Sequence, residues 1–61
     1  MSLFVCLGYW VRPMTLEGVT DWLEQCGIPS SLVNEIVGAL ADLQVGQTYV
    51  DSDGDTWGRV E

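Results

Sequence analysis

Lysine and histidine are absent from this chain, and its only cationic side chains are two arginines, Arg12 and Arg59. Nine acidic residues stand against them, which gives a formal charge of −7 at neutral pH. A polyanion would meet repulsion at almost every contact, and two cations release few counterions. Direct nucleic-acid binding is therefore not expected, and an anionic membrane surface is an equally poor partner. Without histidine there is no imidazole base, and Cys6 and Cys26 have no flanking base to hold a thiolate. No nucleophile, base and orienting group can be assembled, so no catalytic residue, no enzymatic activity and no cofactor are expected. The apolar run at the N-terminal end breaks at Gly8, far short of a membrane span, and lacks the basic n-region of a secretory signal. Two cysteines and no other sign of export point to a cytoplasmic protein with both thiols free.

What is present is a folding composition. Hydrophobic residues make up 48% of the 61 positions and include three tryptophans, which is too apolar for a disordered chain. The length allows one small domain whose core is marginal unless large side chains fill it or a partner covers it. Leu3-Phe4-Val5-Cys6-Leu7-Gly8-Tyr9-Trp10-Val11 is short, rich in β-branched and aromatic residues, and stopped by Arg12-Pro13. It predicts a strand over 3–11, and its unbroken apolar character predicts cover on both faces.

Thr15 then reads as an N-cap. Leu16, Val19, Leu23 and Cys26 recur at helical spacing with Glu17, Asp21 and Glu24 opposite, and Gly27 supplies a stop, so a helix over 15–26 is expected. Ser30 reads as the N-cap of a second helix over 30–45, apolar at Leu32, Val33, Ile36, Val37, Leu40, Leu43 and Val45. Such a wide apolar surface has to be covered by the strand and hairpin or by a second copy of the chain. The closing segment predicts a β-hairpin over 47–60 turning at Asp53-Gly54. A type I′ turn there would place Val50 opposite Trp57 and Tyr49 opposite Gly58. The expected fold is a single α+β domain spanning 1–61, ordered strand-helix-helix-hairpin, with Leu23, Ile36, Leu40 and Trp57 in one core.

Residues 19–36, Val19-Thr20-Asp21-Trp22-Leu23-Glu24-Gln25-Cys26-Gly27-Ile28-Pro29-Ser30-Ser31-Leu32-Val33-Asn34-Glu35-Ile36, resemble a helix-turn-helix: an apolar first helix, a glycine turn and a serine-led second helix. With the preceding strand and following hairpin, the order resembles a minimal winged helix of the phage excisionase kind. The resemblance implies a DNA-reading second helix and a hairpin wing. Here that helix offers Ser30, Ser31, Asn34, Glu35 and Asp42, with Arg59 alone for the wing, so a degenerate DNA-binding protein is an alternative.

Asp51, Asp53 and Asp55 also match the first, third and fifth positions of an EF-hand calcium loop. Thr56 then occupies the glycine position, Gly58 replaces the apolar residue, and Glu61 falls one place short of the bidentate glutamate, so no metal site is expected. The aspartates are read instead as an exposed, soluble hairpin tip.

The remaining reading is a non-catalytic interaction protein. Glu17, Asp21, Glu24, Glu35, Asp42, Asp51, Asp53 and Asp55 are the candidate residues for steering toward a basic protein surface, with Trp22 and Tyr9 as apolar anchors. In size and charge the chain resembles small acidic phage-encoded inhibitors, including DNA-mimicking anti-CRISPR proteins. That resemblance implies a host protein with a basic nucleic-acid-binding groove as partner. A homo-oligomeric structural or adaptor module, with a homodimer as its simplest form, is the rival reading.

Overall fold

The computed structural model describes residues 1–9 and 12–61. In chain order it contains β1 (Phe4–Cys6), α1 (Leu16–Gln25), α2 (Ser30–Ala41), β2 (Thr48–Val50) and β3 (Thr56–Arg59). The strands form one antiparallel sheet in the order β1-β3-β2, and the expected α+β class and strand-helix-helix-hairpin order are both observed. Phe4 and Cys6 of β1, Val19 and Leu23 of α1, Val33, Ile36 and Leu40 of α2 and Trp57 of β3 form the buried core. All four residues assigned to the core from sequence are therefore in it. No helix among the described residues is long and apolar enough to cross a membrane.

β1 is shorter than expected. Gly8, at φ 92°, lets the chain turn back, with Tyr9 N–H donating to the Cys6 carbonyl at 3.3 Å. The expected continuation through Trp10 and Val11 falls outside the described residues. The strand is also covered on one face only: Phe4 and Cys6 are buried, Val5 is half-buried and Leu7 is 50% exposed. An unbroken apolar run does not here mean two covered faces. Its outer edge is closed by Met14, which exchanges two backbone bonds with Phe4 at 2.7 and 2.8 Å.

Thr15 caps α1 as expected, its Oγ1 accepting from Gly18 N–H at 3.1 Å. The helix ends in a Schellman turn. Gly27 adopts φ 78°, its N–H donates to the Glu24 carbonyl at 3.0 Å, and Ile28 N–H reaches back to Leu23 at 3.1 Å. These bonds satisfy carbonyls that a helix end would otherwise leave open. In α2, Ser30 is the first helical residue rather than the cap; Pro29 holds that place and no side chain caps it. The helix stops at Ala41, four residues early, which leaves Val45 outside it and 61% exposed.

The hairpin register differs from expectation by one residue. Tyr49 lies opposite Trp57, Val50 opposite Thr56 and Thr48 opposite Gly58. A type I′ turn requires positive φ at both Asp53 and Gly54, but only Gly54 has it, at 89°. Asp51 determines the outcome: its Oδ1 accepts from Asp53 N–H at 2.9 Å and Asp55 N–H at 3.0 Å. Ser52-Asp53-Gly54 thus becomes a three-residue loop, closed by Gly54 N–H to the Asp51 carbonyl at 3.0 Å. The shift turns Tyr49 toward Trp57 and the helices, and Val50 to the outer face.

Candidate protein-binding surface

Glu17, Asp21 and Glu24 are exposed on α1 at spacings of four and three, so they form one acidic stripe along a single helical face. Glu35 and Asp42 are exposed on α2. Glu35 Oε2 accepts from Ser52 Oγ at 3.1 Å, joining the middle of the helix to the hairpin tip. Asp42 is the C-cap of α2, and neither helix carries a basic residue in its last turn. An acid at that end faces the negative pole of the helix, which costs stability.

The three tip aspartates do not act alike. Asp53 is exposed and Asp55 half-buried, whereas Asp51 is 6% exposed. Asp51 was expected at the surface, and the structure corrects this: besides the two loop amides, its Oδ2 accepts the Trp57 indole N–H at 3.0 Å. A buried indole needs an acceptor, and a buried carboxyl needs donors. Each supplies the other, so Asp51 is a structural hub with no carboxyl oxygen facing a partner. The engagement of both oxygens also removes the first ligand of the calcium-loop pattern. Among the described residues, no three acidic, cysteine or histidine side chains converge on a metal position.

The aromatic anchors are partly committed as well. Tyr9 is 53% exposed and meets the half-buried Trp22 edge to face at 5.8 Å, and Trp22 meets Trp57 in the same way at 5.9 Å. Tyr9 thus sits at the outer end of an aromatic relay that ends in the core. Burial, followed by the charges of Asp55 and Asp51, pushes the Cys6 thiol up to about 11. Cys6 is therefore a buried, inert thiol, and Cys26 is free and exposed. The Tyr49 phenol is raised above its ordinary range by desolvation and then by the charges of Glu35 and Asp51.

Arg59 was expected to be available to a wing, but it is engaged within the chain. Its guanidinium donates to the Leu43 carbonyl at 2.7 Å, to Ser2 Oγ at 2.9 Å and to the Glu61 carbonyl at 3.0 Å. One side chain ties both chain ends to the segment after α2. The sequence carried one cue for the Asp51 hub, a tryptophan six residues after an aspartate across a glycine turn. It carried none for the Arg59 clamp, whose partners are two carbonyls and a distant serine. A shallow hollow of about 460 Å³ lies between Met1, Ser2, Thr15, Leu16 and Glu17, with the Glu17 carboxylate on its wall.

Comparison of the chain with family models, with curated proteins and with solved structures finds no match.

Proposed function

We propose that this chain is a non-catalytic acidic binding module that occludes a basic, nucleic-acid-binding surface of another protein, in the manner of the phage-type inhibitors it resembles in size and charge. One observation carries the reading. With Arg59 engaged internally, Arg12 is the one exposed arginine against seven exposed acids, Glu17, Asp21, Glu24, Glu35, Asp42, Asp53 and Glu61. Such a surface attracts basic grooves over long range and repels phosphates. Acids at helix C-terminal ends, with no compensating base, favour the same reading, because stability alone would select the opposite sign there.

The winged-helix alternative loses its wing cation to the Arg59 clamp, which leaves little with which to grip a phosphate backbone. Affinity capture of host proteins on the immobilised chain, followed by competition with duplex DNA and a salt titration, tests the proposal. The expected partner carries a basic groove, elutes as salt rises, and is displaced by DNA. A retained partner with a neutral or acidic face, indifferent to both competitors, overturns it.

A further inference from the structure

The two edges of the sheet are treated differently. β1 is closed on its outer side by Met14. Along β2, the bonds of Asp51 N–H to Asp55 at 2.9 Å and of Arg59 N–H to Gln47 at 3.2 Å mark residues whose backbone faces β3. Antiparallel ladders alternate, so Tyr49 also faces β3, while the N–H and C=O of Thr48 and Val50 point outward. No turn or loop bond among the described residues engages them. Natural sheets usually guard such an edge with lysine, proline or a bulge. β2 is short, at three residues, but carries none of these, and its residues are β-branched or aromatic.

We infer that this edge is a self-association site, at which β2 pairs antiparallel with β2 of a second copy about a two-fold axis at Tyr49. The strand is self-complementary for this operation: Thr48 of each copy meets Val50 of the other, and four backbone hydrogen bonds form. Charge selects the same arrangement. No charged residue lies between Leu43 and Val50, so the seam is neutral in a chain of net charge −7. The antiparallel register also sets each acidic tip opposite the uncharged Val45-Gly46 of the other copy. The two Asp53 residues then lie beyond opposite ends of the seam, farther apart than a screening length of about 8 Å at physiological salt. A parallel pairing would bring the tips together. The product is a continuous six-stranded sheet, whose uncharged outer positions at Val5, Thr48, Val50, Thr56 and Gly58 repeat in each half.

Amide hydrogen exchange on the intact chain over a dilution series, with molar mass from light scattering on the same samples, tests the site. The expected result is a dimer mass at high concentration and protection of the Thr48 and Val50 amides that falls at least tenfold on dilution, with Tyr49 protected throughout. Val50→Pro removes an outward N–H and leaves the internal ladder intact, so it is expected to be folded and monomeric, whereas Val5→Lys on the outer face still dimerises. A monomer mass at all concentrations overturns the inference. So does a dimer whose Thr48 and Val50 protection is independent of concentration, or one lost in Val5→Lys but kept in folded Val50→Pro.

Discussion

At the scale of single residues, Asp51 is the polar hub of the hairpin, holding three donors. It sets the hairpin loop through two amides and satisfies the buried Trp57 indole through the other oxygen. In Asp51→Asn, one amide oxygen can still serve the loop, but the NH₂ then faces the Trp57 N–H, donor against donor. An unpaired buried polar group costs about 1–3 kcal/mol, and a loss of that size is expected in denaturant unfolding of the variant. A change within error of zero would mean that the hub is not holding the loop. Cys6 gives a second test. Its folded pKa of about 11 lies above the ordinary 9.0, so the neutral thiol is the form the fold favours. Its contribution is complete below pH 9 and is lost as pH rises through about 11. The stability difference between wild type and Cys6→Ala should therefore narrow across that window, measured by denaturant unfolding at each pH. Under native conditions a thiol reagent should titrate Cys26 quickly and Cys6 only after unfolding.

At the scale of elements, the helices are stabilised by packing and by the α1 cap and end turn, and carry avoidable costs elsewhere. Gly38 lies exposed within α2, and a Cβ built there meets nothing within 4 Å. Gly38→Ala should stabilise the protein by about 0.5–1 kcal/mol, read as a higher unfolding midpoint, because glycine loses more backbone freedom in a helix than alanine. Asp42→Lys should add roughly 0.3–1 kcal/mol by reversing a charge at the negative pole of the same helix. The elements were legible because helical periodicity, Thr15 and Gly27 each act locally. The strand length and the hairpin register were not, because each turned on a tertiary competitor. Gly8 could have sat in a strand or a turn, and Asp-Gly could have formed a two-residue turn had Asp51 not captured the next amides. The candidate surface was legible to the same degree: charge on helix exteriors follows from the period, so Glu17, Asp21 and Glu24 lie outward as read. Asp51 turned inward because Trp57 needed an acceptor, which no count of charges reveals.

At the scale of the whole molecule, the small core is closed by large side chains and the exteriors of the helices carry the acids. In the proposed function, stability and recognition then rest on different residues. The core is sealed by Trp57, Phe4 and Ile36, while the stripe on α1 is exposed and free to be changed. The most direct test of the binding account is the association rate of a captured basic partner with wild type and with the Glu17→Lys, Asp21→Lys, Glu24→Lys triple variant, at low and high salt. Steering by the stripe predicts association slowed on the order of tenfold or more at low salt, a difference that shrinks as salt rises, and an unchanged fold by circular dichroism. A triple variant that stays folded and associates as fast as wild type at low salt would contradict the account.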